Sequence, residues 1–254
     1  MTVEIFDRNV LFWGEENQQI LRNKNIAVFG LGGVGGYCVE ALARAGIGNL
    51  TIVDFDTVSL SNINRQIIAL NSTLAKKKTE LFEQRLKDIN PEINLKIVDD
   101  FYNSEETVID LTKEKYDYIA DAIDTMRSKI CLLENCYKNG IPVISSMGAG
   151  NRIDPTKLYI SDLKDIKNKN APFVSTVIYQ LKKLGITEGI TFVTSSEKPF
   201  VQEKISENEK IITNGGLDIE FNKIIPSSTP FVASTAGIYM AYHIVNSLIK
   251  EFRK

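Results

Sequence analysis

The sequence has few of the residues on which secreted and zinc-binding proteins depend. It contains three cysteines and one histidine among 254 residues, and no two cysteines form a C-x-x-C pair. These counts argue against a disulfide framework and against a four-cysteine zinc site. Thirty basic residues nearly balance thirty-two acidic ones, which excludes a basic tail or an acidic disordered coat.

The chain also lacks the patterns that carry proteins to or across a membrane. Its start, Met1 to Glu4, has no basic region followed by an apolar one, so we expect no signal peptide and a cytoplasmic location. The stretch from Pro230 to Ile249 is uncharged and long enough to span a bilayer. However, it contains several hydroxyl and amide side chains that lipid would leave unpaired. We therefore predict a buried helix there and no membrane association.

Short β-branched runs alternate with helical patterns through the first 150 residues. This alternation is typical of a parallel sheet flanked by helices. Asn103 and Glu106 also have the spacing of a cap for a short helix. We predict strands at 25–29, 50–53, 95–98, 116–120 and 143–145, and helices at 34–45, about 74–89, and 126–138.

The sequence changes in character after Gly150. We predict strands at 158–161 and 190–194, a helix from Pro172 to Gly185, loops with an Asn214-Gly215-Gly216 turn over 195–228, and a final helix. Gly150 has no linker-like composition around it. We therefore predict one domain over 1–254: an α/β, Rossmann-like, mostly parallel sheet in a nucleotide-binding core (1–150), with a C-terminal mixed α/β extension on the substrate side (151–254).

A glycine-rich segment directly follows the first predicted strand and opens a helix. Its candidate phosphate-binding residues are Gly30, Gly32, Gly33 and Gly35. In this position glycines let the backbone approach phosphates, and the helix N-terminus offers unpaired N–H groups. Asp54 and Asp56 end the next strand, near the roughly 20-residue spacing of a ribose-binding carboxylate. The residues therefore predict a bound nucleotide.

The segment from Asp54 to Gln66, DFDTVSLSNINRQ, resembles the signature of the ubiquitin-activating-like adenylating enzymes. Three further features match that superfamily in the same order: Lys78, the sequence INPE at 89–92, and the strand-end pair Asp121 and Asp124. The residues from Phe6 to Gly14 look like its N-terminal arginine motif. The resemblance runs from about residue 6 to beyond residue 150, and several motifs in order are more specific than any one.

The resemblance implies an enzyme that uses ATP and Mg²⁺ to adenylate a carboxylate. By resemblance, Asp56 holds the ribose, Asn62 and Arg65 line the triphosphate, and Lys78 reaches the α-phosphate. Asp124 holds Mg²⁺, Asp54 and Asp121 belong to the nucleotide site, and Arg8 enters a partner subunit's site, which implies a homodimer. The implied catalytic set is Arg8, Arg65, Lys78 and Asp124.

Each of these residues also has an ordinary structural interpretation. Lys78 follows Lys76 and Lys77, and a lysine run is most often a solvated helix face. Asp121 and Asp124 precede a helix, where Asp commonly caps. Arg8, in turn, could be a surface residue.

The region after the core resembles the tRNA threonylcarbamoyladenosine dehydratases. The matching segments are 148–156, 161–163, the helix carrying Leu181-Lys182-Lys183, and 232–237 running on to His243. Those enzymes use ATP to activate the threonine carboxylate of N6-threonylcarbamoyladenosine in tRNA, which then cyclises. The resemblance implies tRNA as substrate and leaves a sulfur-relay protein as a possible partner. Candidate tRNA contacts are Lys76–Lys78, Lys164, Lys167, Lys169, Lys182 and Lys183, which solvated faces explain equally well.

The remaining reactive side chains fit structural roles better. One dehydratase of that family carries a cysteine in the strand matching 190–194, and this chain has none there. We expect Cys38, Cys131 and Cys136 to be inert, and His243 to be a hydrogen-bonded core residue. An acyl-adenylate can instead be attacked by a nucleophile on the same nucleoside, because such closures have effective molarities on the order of 10⁵ M.

Three alternatives stay open at the level of sequence. The first is an adenylyltransferase for the C-terminal Gly-Gly of a ubiquitin-like sulfur carrier. The second is a nicotinamide oxidoreductase, for which the S-N-x-x-R-Q segment and the lysine have no purpose. The third is a non-catalytic half of an activating heterodimer, against which the retained Arg8, Arg65, Lys78 and Asp124 argue.

Overall fold

The computed structural model describes residues 4–103, 109–166, 171–200, 206–212, 218–224 and 226–251, with the backbone alone over 206–212 and 218–224. Glu106 of the expected helix cap and the expected turn at Asn214–Gly216 lie outside these residues. The helices are α1 (Asp7–Arg22), α2 (Gly35–Ala45), α3 (Lys78–Ile89), α4 (Met126–Lys138), α5 (Pro172–Lys183) and α6 (Pro230–Leu248). The strands are β1 (Asn25–Phe29), β2 (Asn49–Val53), β3 (Asn94–Val98), β4 (Tyr118–Asp121), β5 (Val143–Ser146), β6 (Leu158–Asp162), β7 (Thr191–Ser195), β8 (Ser206–Ile212) and β9 (Asp218–Ile224).

Seven strands form one twisted layer in the order β3-β2-β1-β4-β5-β7-β6. Every neighbouring pair is parallel except β6 with β7, which is antiparallel. The predicted α/β, mostly parallel architecture is therefore confirmed. From β1 the chain adds β2 and β3 on one side of the sheet. It then adds β4, β5 and the remaining two strands on the other side. In such sheets a ligand crevice lies beyond the carboxyl ends of the strands at this reversal.

Helices cover both faces of the sheet. Successive residues of β1 point to opposite faces, so that Ile26 and Val28 join one core cluster while Ala27 and Phe29 join the other. On the first face α6 packs on α2, and their approach is close: a Cβ on Gly237 would lie 2.2 Å from the Val34 carbonyl oxygen. The C-terminal extension thus packs directly on the helix that follows the glycine loop.

The structure differs from two of the predicted elements, and it contains one helix that we do not predict. Helix α3 begins at Lys78 rather than near residue 74, because Ala75 has a φ of 63°, in the left-handed region that a right-handed helix excludes. Strands β8 and β9 pair as an antiparallel hairpin where we expect loops. The first five residues of β8 are polar and give no hydrophobic alternation to recognise. Helix α1, interrupted at Gly14, was not among the predicted elements.

The uncharged C-terminal stretch forms α6, which is 19 residues long. One face of α6 is buried in the first core cluster through residues such as Val232, Ala236 and Met240. In the described ranges, none of the helices combines the length and apolar character that a membrane crossing requires. The prediction of a buried helix at this position is confirmed.

Candidate active site

The glycine loop is built too tightly to carry side chains at two of its positions. Gly30 has a φ of 83°, and a Cβ there would lie 2.8 Å from the Ala122 carbonyl oxygen in the loop after β4. A Cβ on Gly35 would lie 1.8 Å from the carbonyl oxygen of Gly30. Helix α2 starts directly after, and its N-cap residue, Val34, supplies no side-chain cap. The arrangement leaves helix N–H groups for an anionic ligand.

Asp54 joins the glycine loop to the end of β2. Its Oδ2 accepts the Leu31 N–H at 2.5 Å, and its Oδ1 accepts the Asp56 N–H at 2.8 Å. Burial raises the pKa of the Asp54 carboxyl, and the charge of Lys78 opposes that rise. Both oxygens are thus engaged within the protein. The carboxylate that faces solvent is Asp56, whose side chain is 39% exposed.

Lys78 lies between these two carboxylates. Its Nζ is 2.6 Å from Asp56 Oδ2 and 3.9 Å from Asp54 Oδ1, and its side chain is only 5% exposed. Burial lowers the pKa of the Lys78 ammonium, but nearby carboxylates outweigh burial and raise the pKa above its usual value. The interpretation of the lysine run as a solvated face is therefore wrong for Lys78. It suits Lys76, which is exposed, better than Lys77, which pairs with Asp99 at 3.2 Å.

Arg65 and Asp124 lie close enough for their charges to interact. The Arg65 side chain covers Gly33, since its Cγ is 3.2 Å from where a Gly33 Cβ would be. Burial lowers the pKa of Arg65, and the charge of Asp124 opposes that shift; the same carboxylate also raises the pKa of Lys78. Asp124 is exposed at the surface of the protein. The structure thus brings Arg65, Lys78 and Asp124 together around the glycine loop.

Amide side chains of the signature segment shape the crevice wall. Asn62 Oδ1 accepts the Ser59 N–H at 3.2 Å, which caps a short 3₁₀ turn. Asn64 Nδ2 donates to the Ser228 carbonyl at 2.9 Å and so ties the segment to the C-terminal extension. Gln66, outside our predicted site, is buried beside Gly32, and its Oε1 has no hydrogen-bond partner in the part of the chain that the structure describes. It offers an acceptor at the loop.

Asp121 is placed differently from its predicted role. It is fully buried, and its Oδ2 is 2.6 Å from both Lys129 Nζ and Ser145 Oγ. Its Oδ1 accepts the Ile123 N–H at 3.0 Å. Its contacts therefore lie inside the protein. Sequence reasoning missed Lys129, although the residue falls on the apolar face of α4, seven residues before the buried Cys136, and a lysine at such a position signals a buried partner.

Arg8 is exposed in the first turn of α1. The next residue, Asn9, donates its Nδ2 to the Arg44 carbonyl at 2.8 Å, at the C-terminal end of α2. Helix α2 has 11 residues and so is about 16 Å long, and the glycine loop lies at its other end. Arg8 therefore lies about one helix length from the glycine loop of its own chain.

The cysteines and the histidine lie in structural positions. Cys38 and Cys136 are buried, Cys131 is half-buried, and burial raises the pKa of all three thiols. His243 Nε2 is 3.0 Å from the hydroxyl of Tyr118 at the start of β4, the end away from the crevice. These placements agree with inert thiols and a hydrogen-bonded histidine.

The lysines that we expect to contact tRNA differ in their exposure and in their partners. Lys164 pairs with Glu188 at 3.3 Å, whereas Lys167 and Lys169 lie outside the described residues. Lys182 and Lys183 are exposed on α5, and Lys183 Nζ lies 4.6 Å from the ring centroid of the exposed Tyr179. Helix α5 thus offers two cations and an aromatic ring on one solvent-facing surface.

The donor set of the crevice fits one kind of metal. Within the described ranges, no group of three or more His, Cys, Asp or Glu residues could hold a metal ion by itself. Asp124, an exposed single carboxylate beside two cations, is a hard oxygen ligand. Mg²⁺ commonly takes one or two protein carboxylates and completes its shell with waters and substrate phosphates. The residues fit Mg²⁺ held jointly with a nucleotide.

Comparison with known proteins gives the site a context. The model of the ThiF family matches residues 6–248. The chain is 41% identical over 246 residues to the tRNA threonylcarbamoyladenosine dehydratase of Bacillus subtilis, covering 97% of this chain and 95% of that protein. The Haemophilus influenzae enzyme of the same name is 45% identical, over 64% of this chain and 61% of that protein. The Escherichia coli molybdopterin-synthase adenylyltransferase is 32% identical over 59% of each chain.

Solved structures agree with the sequence relatives. The crystal structure of E. coli tRNA N6-threonylcarbamoyladenosine dehydratase in complex with ATP superposes with a TM-score of 0.82 at 31% identity, covering 96% of this chain and 93% of that one. The complex of that enzyme with AMP gives a TM-score of 0.81 at 31% identity, with 97% of both chains covered.

Proposed function

The chain belongs to the ThiF family, and we propose that it is an ATP-dependent enzyme that dehydrates and cyclises N6-threonylcarbamoyladenosine in tRNA. The observation that carries this proposal is the 41% identity to a dehydratase over nearly the full length of both proteins. The ATP and AMP complexes of the E. coli enzyme support the use of ATP. Similarity to the molybdopterin-synthase adenylyltransferase covers a much shorter part of the chain, so we rank a sulfur-carrier substrate second.

The reaction has two balanced steps. A threonine carboxylate oxygen forms a bond to the α-phosphorus of ATP, and the bond to the bridging oxygen breaks, so that pyrophosphate leaves. A nucleophile on the same nucleoside then attacks the acyl carbon, loses its proton, and releases AMP. The substrate has lost the elements of water, and ATP has become AMP and pyrophosphate. Catalysis of such steps consists mostly of positioning and of neutralising charge on phosphate oxygens.

The crevice residues supply these functions. Asp56 accepts hydrogen bonds from the ribose hydroxyls, because it is the outward-facing carboxylate at the end of β2. Lys78 and Arg65 neutralise phosphate charge, and Asn62 keeps its segment in the shape that carries Arg65. The N–H groups at the start of α2 face the phosphates across the glycine loop. Asp54 acts indirectly, by holding the loop against β2.

Mg²⁺ is the metal we assign to Asp124. When bound, it would neutralise developing charge on the pyrophosphate leaving group. The exposed carboxylate, with Lys78 and Arg65 close enough to feel its charge, is the protein's contribution.

We further propose a homodimer in which Arg8 serves the partner's crevice. Arg8 lies at the wrong end of α2 to reach its own glycine loop. Three large apolar side chains near it are exposed: Ile5 at 63%, Leu11 at 86% and Phe12 at 58%. A patch of this kind is typical of a subunit interface. Mixing Arg8→Ala with Lys78→Ala, each inactive alone, should restore about a quarter of wild-type activity, because random pairing gives mixed dimers with one intact site.

We propose that the tRNA substrate contacts α5. The N-terminal part of α5 lies beside the crevice, since Phe173 is 3.4 Å from where a Gly148 Cβ would be. Lys182 and Lys183 then contact phosphates, and Tyr179 offers a stacking surface for a base. A sulfur-relay partner is not required by this chemistry. We propose that residues 1–254 form one adenylation domain, because α6 of the extension packs on α2 of the core. A cytoplasmic location is proposed from the tRNA-modifying relatives.

Mass spectrometry of tRNA nucleosides tests the proposed function directly. The protein is incubated with tRNA bearing N6-threonylcarbamoyladenosine, with and without ATP. We expect a product lighter by one water, formed only with ATP and absent with the Lys78→Ala variant. If tRNA stays unchanged while a β-grasp carrier with a C-terminal Gly-Gly is adenylated, the sulfur-carrier function replaces the dehydratase.

A further inference from the structure

The buried group Lys129, Asp121 and Ser145, which we name the α4 anchor, lies directly behind the candidate metal ligand. Lys129 and Asp121 are both completely buried, and their charged atoms are 2.6 Å apart. Lys129 Nζ and Ser145 Oγ are a further 3.0 Å apart, which closes a three-membered network between β4, α4 and β5. None of the three side chains faces the crevice. The network therefore acts on the crevice only through the backbone.

The backbone link is short. The anchor leaves Asp121 Oδ1 free to accept the Ile123 N–H at 3.0 Å, one residue before Asp124. The turn from Asp121 to Asp124 is thus held from inside by a carboxylate that cannot rotate, because its other oxygen is fixed by Lys129 and Ser145. A rigid turn determines where the Asp124 carboxylate points.

The charge of the anchor also suits this task. Asp121 and Lys129 neutralise each other in a sealed environment, so the anchor adds no net charge beside a site for phosphates. A buried ion pair is often no more stabilising than apolar residues of the same volume. Its value here lies in directional hydrogen bonds, which an apolar cluster of equal volume would not supply.

We propose that the α4 anchor is a positioning group: it orients Asp124 and thereby sets the affinity of the ATP complex for its divalent metal. This inference rests on the proposed function, in which Asp124 is the metal ligand. Residues that orient a metal ligand typically change metal affinity about 10- to 100-fold when they are removed.

The test replaces the anchor with apolar residues of similar size, in the variant Asp121→Leu/Lys129→Met/Ser145→Ala. Removing both charges together avoids an unpaired buried ion, so we expect a folded protein. Electron paramagnetic resonance of Mn²⁺ measures the dissociation constant of Mn²⁺ from the protein–ATP complex without tRNA. We expect Mn²⁺ affinity to fall about tenfold while metal-free ATP binding changes less than about twofold.

Two controls separate positioning from general damage. Lys138→Met changes an exposed lysine of the same helix, paired with Glu134, and should leave Mn²⁺ affinity unchanged. In an Asp124→Ala background the anchor replacement should cause no additional loss, because the group it orients is gone. Equal Mn²⁺ affinity in the wild type and the triple variant, or an additional loss in the Asp124→Ala background, would overturn the inference.

Single variants cover the remaining cases. If the triple variant does not fold, Ser145→Ala removes two hydrogen bonds, one from Lys129 and one to Asp121, and leaves the ion pair in place. It should weaken Mn²⁺ binding about two- to threefold, less than the triple variant, because Lys129 still holds the Asp121 carboxylate. Unchanged Mn²⁺ affinity in Ser145→Ala then overturns the inference. A wild-type protein that binds Mn²⁺ and ATP without cyclising tRNA would overturn the proposed function alone, whereas one that binds no ATP would overturn both.

Discussion

Two turns of this molecule repeat one pattern and use it differently. At the end of β2, Asp54 is buried and accepts a backbone N–H of its own turn, and Asp56 follows, facing solvent. At the end of β4, Asp121 is buried and accepts a backbone N–H of its own turn, and Asp124 follows, exposed. In both turns the first carboxylate holds the backbone and the second reaches the surface.

The two turns differ in their lysines. Each is paired with a lysine from the helix that follows it in the chain, Lys78 for β2 and Lys129 for β4. Lys78 lies at the edge of the crevice, within 2.6 Å of the half-exposed Asp56, whereas Lys129 is sealed against Asp121. The comparison teaches that the same pairing of charges can form part of a ligand site or of the scaffold behind it, depending on which carboxylate the lysine reaches.

The largest effect should come from Lys129→Met, on stability. The substitution leaves the fully buried Asp121 carboxylate without its counter-ion, which typically costs about 3–5 kcal/mol of the free energy of unfolding. Urea denaturation measures the loss. The control Lys138→Met breaks an exposed pair and should change stability by less than about 0.5 kcal/mol. If Lys129→Met is no less stable than Lys78→Met, Lys129 does not stabilise the fold more than Lys78 does. The proposed difference between the two lysines would then be wrong.

The next effect should come from Lys78→Met, on activity. Removing one preorganised cation from a phosphate site should lower tRNA cyclisation about 10²- to 10³-fold. Release of pyrophosphate in the presence of tRNA and ATP measures the rate. The neighbouring Lys77→Met is a matched control, since Lys77 pairs with Asp99 rather than with Asp54 or Asp56, and it should keep activity within about twofold. Similar losses in both variants would argue against the assignment of Lys78.

Asp56→Asn should have a smaller effect, confined to nucleotide binding. The variant weakens the hydrogen bonds proposed for the ribose, so we expect the KM for ATP to rise about tenfold, with little change in kcat. Steady-state kinetics at saturating tRNA separates the two constants. Asp99→Asn changes the carboxylate that pairs with Lys77 and should leave the KM for ATP unchanged. An equal fall in kcat and kcat/KM for Asp56→Asn would place Asp56 in the chemical step.

The sequence predicted the central sheet well because its signals are local. Strand β1 was predicted over the same five residues that the structure shows, since its apolar run is bounded by polar residues and the glycine loop. The start of α3 was wrong because one residue, Ala75, adopts a left-handed conformation that no pattern announces. The hairpin of β8 and β9 was missed because the first five residues of β8 are polar and give no alternating apolar pattern.

Sequence reasoning predicted which residues belong to the site, but not how their side chains are arranged in space. Spacing after each strand identified the two aspartate pairs, yet which member turns inwards depends on partners elsewhere in the chain. Asp121 is drawn inside by Lys129 and Ser145, which lie eight and twenty-four residues further along the chain. Sequence motifs selected Lys78 from three consecutive lysines, and only tertiary structure explains why it is the buried one.

The smallest expected effect is on the pH dependence of stability, and it concerns a contact at the other end of β4. Tyr118 starts the strand that Asp121 ends, and its hydroxyl is 3.0 Å from His243 Nε2. Burial lowers the pKa of His243 below 6.5, so the folded protein favours the neutral ring. The unfolded chain binds more protons just below pH 6.5, so the contribution of His243 to stability is present above that pH and is lost as the pH falls through the folded-state pKa.

His243 is the single histidine, the side-chain type whose ordinary pKa lies between pH 7 and about pH 5.5. The half-exposed ring should contribute less than about 1 kcal/mol across this range. The urea concentration at the midpoint of unfolding should therefore fall slightly for the wild type as the pH is lowered. It should stay level for His243→Gln. The triple variant Asp121→Leu/Lys129→Met/Ser145→Ala should keep the same slope, because it leaves no buried charge unpaired and lies at the other end of β4 from His243. A slope that disappeared in the triple variant would instead mean that the two ends of β4 are coupled, and that the anchor holds the whole strand rather than the turn alone.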